Sequence, residues 1–134
     1  MQDGDLRVAI ATDSDIVMAR QEGRRLAARL DFSPSDLTVI AAAISEIARN
    51  IVTYATKGEV HFTLIEKNGR QGIVVVAIDQ GPGIRDIGQA LQDGFSTSGS
   101  LGLGLPGAKR LMDEFEVQSE PGRGTTVTMR KWAR

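Results

Sequence analysis

Apolar residues fall along this chain in two rhythms. LRVAIA (residues 6–11) is a short apolar-rich run of strand length. The next segment has a helical period. With Ser14 as its cap, a helix running to about Leu30 places Ile16, Val17, Ala19, Gly23, Leu26, Ala27 and Leu30 near one face. A second helix has a better marked start: Ser33 at the N-cap, Pro34 at the first helical position and Asp36 three residues after the cap. It continues through LTVIAAAISEIARNIVTYA, with Leu37, Ile40, Ala41, Ile44, Ala48 and Ile51 as its apolar stripe, and Gly58 ends the passage.

The rhythm then changes to strands. EVHFTLIEK and GIVVVAID are joined by NGRQG, in which Asn68-Gly69 signals a hairpin. The second run is apolar at nearly every position from Ile73 to Ile78, which predicts a strand that is central or covered on both faces. A short helix is predicted over residues 86–92 and another from about Gly104 to Phe115. Two last strands follow, FEVQSE and GTTVTMRKW, joined by PGRG. This order predicts a single domain over residues 1–134 with an α/β (α+β) two-layer sandwich architecture. Its sheet is mixed but mostly antiparallel, with the helices on one face.

Composition narrows the function classes. A chain of 134 residues can build one real core, and 41% hydrophobic with 25% charged residues is ordinary for a globular protein. The formal net charge of −1 and pI of about 5.8 give no global basic field for nucleic acid. Basic residues gather locally at Arg20, Arg24, Arg25 and Arg29 and in the tail RKWAR, as a solvated face or as a docking face for an acidic partner. The absence of cysteine excludes disulfides and thiolate metal sites and suits the cytosol. MQDGDLRVAI contains no long apolar run and reads as neither a signal peptide nor a membrane span.

Candidate chemistry begins at DGFSTSGSLGLGLPG (residues 93–107), where Gly102, Gly104 and Gly107 match G-x-G-x-x-G. A dinucleotide-binding turn needs a strand before the first glycine, and STSGSL has no strand character. A Walker A loop needs a lysine directly after its last glycine, whereas here Ala108 separates Gly107 from Lys109. The protein-kinase glycine loop lies between two strands, which is not the context here. What remains is a polar loop entering a helix N-terminus, an end whose free N–H groups suit phosphates.

Three other segments bear on that reading. In DQGPGI, Asp79 at a strand end is either a turn residue or an acceptor for an exocyclic amine of the kind adenine presents. Gly81 and Gly83 would leave room for a flat base. In SEIARN, Glu46 and Asn50 project from one helix face. They form either a solvated polar stripe or a pair in which Asn50 gives an oxygen to Mg²⁺ and Glu46 serves as base for an attacking hydroxyl. In PGRGTTV, Gly122, Gly124 and Thr125 precede the last strand, in what is by default a hairpin turn.

The order E-x-x-x-N, D-x-G-x-G, G-x-G-L, G-x-G-T over residues 46–125 resembles the N, G1, G2 and G3 boxes of the GHKL (Bergerat-fold) ATPase/kinase superfamily. The resemblance implies ATP and Mg²⁺ as cofactors, with Glu46 catalytic and Asn50 the metal ligand. It implies nucleotide binding by Asn50, Asp79, Gly81, Gly83, Gly102, Leu103, Gly104, Leu105 and Thr125, with residues 84–101 as a lid. AISEIARNI, DQGPGI, DGFSTSGSLGLGLPGAKRLMDEF and the terminal KW look like the RsbT-type serine/threonine kinases, the switch kinases of the bacterial stressosome. That likeness covers nearly the whole chain. It implies phosphorylation of a STAS-domain scaffold or antagonist protein, followed by a move to a downstream effector such as a phosphatase. The setting it implies is cytoplasmic, with no nucleic-acid or membrane partner. An anti-sigma-factor kinase has the same boxes at nearly the same size, and a nucleotide-gated binding module without phosphotransfer is a third reading. A sensor histidine kinase needs a phosphoacceptor histidine on a dimerisation helix, whereas the single histidine, His61, falls in a predicted strand.

Overall fold

The computed structural model describes residues 5–81, 107–120 and 122–133. Strand β1 (Leu6–Ile10) leads into helix α1 (Asp13–Ala27) and then helix α2 (Pro34–Asn50), which runs on into a π-helical turn, Ile51–Ala55. Strands β2 (Gly58–Lys67) and β3 (Arg70–Asp79) follow. Residues 107–111 are helical, and β4 (Glu114–Glu120) and β5 (Gly124–Trp132) complete the sheet. Strand order is β1-β2-β3-β5-β4. Every described pairing is antiparallel, so the expected mixture of directions reduces to one.

Local chemistry explains the boundaries. Helix α1 is capped by Thr12 and not by Ser14 as expected. The Asp15 N–H donates to Thr12 Oγ1 at 3.4 Å while the Thr12 N–H donates to Asp15 Oδ2 at 3.0 Å, a reciprocal capping box. The Ala11 N–H joins the same carboxylate at 2.8 Å, so Ala11 leaves the strand expected to include it. Helix α2 starts as the sequence predicts, with the Asp36 N–H donating to Ser33 Oγ at 3.0 Å and Pro34 in the first turn. The β2–β3 link is tighter than NGRQG suggested. Asn68 (φ 56°) and Gly69 (φ 79°) alone form the turn, the left-handed pair that matches strand twist.

The expected helix to Phe115 stops earlier. Residues 112–113 bend and β4 begins at Glu114. Pairing with β5 overrides the helical period there: Phe115 lies opposite Met129, and the Asp113 carboxylate accepts the Trp132 N–H at 2.9 Å.

The core lies between the helical layer and one face of the sheet. Ile40, Ile44, Ile47 and Ile51 from the α2 passage meet Phe62, Ile73, Val75 and Met129 from the strands, all essentially inaccessible. By length and composition the helical passage Pro34–Ala55 could cross a membrane, yet its isoleucine stripe is spent on this core. Val17, expected on the apolar face of α1, is instead 43% exposed and stands beside exposed Met18. The α1 periodicity tolerates only the narrower stripe of Ile16, Ala19, Gly23, Leu26 and Ala27.

Candidate active site

Antiparallel register draws the separated motifs to one end of the sheet. Ile10, Gly58, Asp79 and Thr125 stand in one row across β1, β2, β3 and β5. Because β2 begins at Gly58, three residues after the π-helical turn ends, the C-terminal end of α2 arrives at the same edge. The turn after Asp79 packs directly on it: a Cβ added to Gly81 would lie 2.7 Å from the Ala55 Cβ. Gly81 is therefore required by close approach.

Asp79 is half-buried and held by backbone. Its Oδ1 accepts the Gly81 N–H at 2.9 Å and the Thr125 N–H at 3.2 Å, which leaves Oδ2 without a hydrogen bond among the described residues. The crossing of β3 and β5 depends on Gly124, which has φ +95° and whose added Cβ would meet the Asp79 carbonyl oxygen at 2.1 Å. No other residue fits that crossing without moving the backbone. Ser119 Oγ donates to the Gly124 carbonyl at 3.1 Å and lies 2.8 Å from Thr125 Oγ1. Either hydroxyl can donate in the Ser119–Thr125 contact, which ties the two side chains together at the strand end. A cavity of about 230 Å³ opens beside this network, lined by Asp79, Gln80, Ser119 and Thr125 among others.

Glu46 and Asn50 are half-buried on one face of α2. The Asn50 Nδ2 is fully enclosed and has no hydrogen-bond partner among the described residues. A buried amide left unpaired costs about 1–3 kcal/mol, so the position is not explained by stability. Turning that amide by half a rotation exchanges nitrogen for oxygen, and the site can then present either atom to a ligand. The π-helical turn begins at the next residue, and at its exit Thr56 adopts φ 67°, a strained conformation for a β-branched side chain. Among the described residues no group of three His, Asp or Glu side chains could hold a metal by itself. A cation here would need ligands from the nucleotide, which suits a magnesium ion that arrives on phosphates, with Asn50 as a protein oxygen.

Gly83, Gly102, Leu103, Gly104 and Leu105 lie outside the described residues, as do the expected lid (84–101) and the helix expected over residues 86–92. His61 sits in β2, as its sequence context predicts, with Nε2 2.7 Å from Glu59 Oε1. That contact holds the Glu59 carboxyl below its usual range. Sequence reasoning missed Ser119 and Ala55. Register from the PGRG hairpin, which sets Ser119 opposite Thr125, could have found the first. Nothing in the local pattern marks the second.

Residues 10–131 match the histidine kinase-like ATPase domain family. The chain is 52% identical over 127 residues to the serine/threonine-protein kinase RsbT of Bacillus subtilis (strain 168), covering 95% of this chain and 96% of that protein. It is 34% identical over 119 residues to the anti-sigma F factor of Thermoanaerobacter sp. (strain X514), covering 85% and 82% respectively. Among solved structures, the mycobacterial sensor histidine kinase MprB has the same fold, with a TM-score of 0.60 at 18% identity over 96% of this chain and 99% of that one. The chain belongs to the histidine kinase-like ATPase family and, within it, to the RsbT-type serine/threonine protein kinases, enzymes that use ATP.

Proposed function

We propose that this kinase transfers the γ-phosphoryl group of ATP to a Ser or Thr hydroxyl on a STAS-domain scaffold or antagonist protein, and then engages a downstream effector such as a phosphatase. The observation that carries the site assignment is the enclosed Asn50 Nδ2, unpaired among the described residues and one helical turn from Glu46. Asp79 Oδ2 accepts the exocyclic amine of adenine, and Gly81 and Gly83 leave space for the ring. Thr125 offers its hydroxyl oxygen nearby. Gly102, Leu103, Gly104 and Leu105 give backbone N–H groups to the phosphates at a helix N-terminus. Magnesium, when bound with ATP, neutralises the β- and γ-phosphate charge. Asn50 would hold it as the protein ligand. Glu46 takes the proton of the acceptor hydroxyl as that oxygen bonds to the γ-phosphorus and the bond to ADP breaks. The cysteine-free chain suits a cytoplasmic setting.

A second reading, an anti-sigma-factor kinase that binds a sigma factor and phosphorylates its antagonist, is favoured by the 34% identity to an anti-sigma F factor. Both readings use the same chemistry and differ in partner. The deciding experiment mixes the protein with a STAS-domain protein and ATP·Mg²⁺, follows phosphate by mass spectrometry and the complex by gel filtration, and runs a sigma factor in parallel. We expect Ser or Thr phosphate on the STAS domain and a complex weakened about tenfold or more. A phosphate adds about −1.5 to −2 charges and must be desolvated if it lies in the contact surface. Absence of transfer would refute the kinase–acceptor pairing. Phospho-acceptor that holds the kinase undiminished would refute the switching step. Sigma-factor capture would favour the second reading.

A further inference from the structure

The core-facing side of the sheet is built in rows. Leu6, Phe62, Val75, Met129 and Phe115 stand side by side across the five strands, and Val8, Val60, Ala77, Val127 and Val117 form the next row. Both rows are apolar throughout, and all their members belong to the core or pack against it. The end row runs Ile10, Gly58, Asp79, Thr125 and Ser119, and it turns polar over β3, β5 and β4. These three polar residues are joined: Thr125 meets Asp79 through its N–H and Ser119 through its hydroxyl. The nucleotide-binding boxes contain Asp79 and Thr125 and leave out Ser119, which is half-buried and lines the same cavity.

We propose that Ser119 is a positioning residue for nucleotide binding: it fixes the rotamer and the proton direction of Thr125, whose hydroxyl meets the base. The inference rests on the reading of this end of the sheet as the adenine site. A threonine hydroxyl on its own turns about its Cβ–Oγ bond and can show a ligand either a proton or a lone pair. Ser119 restricts that choice. Its Oγ lies 2.8 Å from Thr125 Oγ1, and its single proton has two acceptors within reach, that hydroxyl and the Gly124 carbonyl at 3.1 Å. When Ser119 donates to Thr125, the threonine proton is free to point into the cavity. When Ser119 donates to Gly124, Thr125 donates back and shows the cavity a lone pair. On the edge of adenine a ring nitrogen, an acceptor, stands beside the amine assigned to Asp79. An ionised Asp79 side chain has only lone pairs to offer, so the proton for that nitrogen comes from the Ser119–Thr125 pair in its first arrangement. A cross-strand Ser–Thr pair also steadies a sheet, and the two roles differ in what they predict.

The test is calorimetric titration with ATP, beside urea unfolding, over Ser119→Ala, Ser119→Thr, Thr125→Val and the double variant Ser119→Ala/Thr125→Val. Ser119→Ala should weaken ATP about fivefold, the worth of one neutral hydrogen bond. Ser119→Thr keeps the hydroxyl, has the cavity for its methyl group, and should bind ATP within about twofold of wild type. Thr125→Val keeps the backbone N–H that Asp79 accepts and should weaken ATP about tenfold. The double variant should bind no more weakly than Thr125→Val, because Ser119 acts through the hydroxyl already removed. Purine riboside triphosphate, which keeps the ring nitrogen and lacks the amine, should lose the same factor in Ser119→Ala as ATP does. A serine that only steadied the sheet would lower the urea midpoint on replacement and leave these affinities unmoved. Wild-type ATP affinity in Ser119→Ala, no rescue by Ser119→Thr, or losses that multiply in the double variant would each overturn the proposal. Thr125→Val binding ATP as wild type does would bring down the adenine reading of this end of the sheet as well. Weakened ATP in Thr125→Val with none in Ser119→Ala would remove the role of Ser119 alone.

Discussion

Replacing Asp79 by Asn tests the base-reading role with the least structural damage. The Asp79 Oδ1 accepts two backbone N–H groups, from Gly81 and Thr125, and an Asn oxygen can keep both. The change is then confined to the second atom. A carboxylate oxygen that accepts from the adenine amine becomes an NH₂ that confronts it donor to donor. Loss of a charge-assisted hydrogen bond is worth about 1.5–3 kcal/mol, which weakens ATP roughly ten- to a hundredfold. The same substitution should narrow the preference for ATP over inosine triphosphate, whose carbonyl at that ring position can accept from the new amide. Asp79→Ala is the poorer probe, because it strands both backbone donors at the β3–β5 crossing. Calorimetric titration with ATP and inosine triphosphate, beside urea unfolding of each protein, measures both effects. Unchanged ATP affinity in folded Asp79→Asn would refute the assignment and leave Asp79 a turn residue.

Glu46→Gln should retain ATP and transfer phosphate about 10²–10⁴-fold more slowly, read by single-turnover phosphorylation of the acceptor, and a wild-type rate would remove Glu46 as base. Asn50→Ala should lose magnesium-dependent ATP binding yet not destabilise the free protein by more than about 1 kcal/mol, since the deleted Nδ2 has no partner among the described residues and its removal relieves an unpaired donor. A large loss in urea unfolding would show a structural role instead. Gly124→Ala should destabilise by about 2 kcal/mol or more, because φ +95° is strained for Ala and its Cβ meets the Asp79 carbonyl. Asp15 is held below the usual carboxylate range by the Ala11 and Thr12 N–H groups, so its contribution is full at neutral pH and lost as pH falls through the lowered value. The gap in urea midpoint between wild type and Asp15→Asn should therefore close below about pH 4, and a gap unchanged in acid would contradict the cap.

The sequence by itself determined most of the described elements and named the residues proposed for the site. Ser33, Pro34 and Asp36 announced α2, Asn68-Gly69 announced the hairpin, and the ordered boxes marked Glu46, Asn50, Asp79 and Thr125, because caps, turns and phosphate loops rest on local residue chemistry. Two local rules of similar strength competed at the start of α1. Ser14 and Thr12 can both cap, and the reciprocal bond with Asp15 chose Thr12. Where contacts are distant in sequence, local pattern gave way. Helical periodicity ran on to Phe115, but pairing with Met129 draws that residue into β4. Val17 fitted the α1 stripe but stands exposed, since only the surface of α2 and the sheet fixes how wide that stripe is. Tertiary structure also decided that Asp79 Oδ1 accepts the Gly81 and Thr125 N–H groups, that Ser119 lies against Thr125, and that Asn50 Nδ2 is enclosed without a partner among the described residues. The common reason is register. Residues 46 positions apart, such as Asp79 and Thr125, become neighbours through the antiparallel pairing of β3 with β5, and no window along the chain contains that fact.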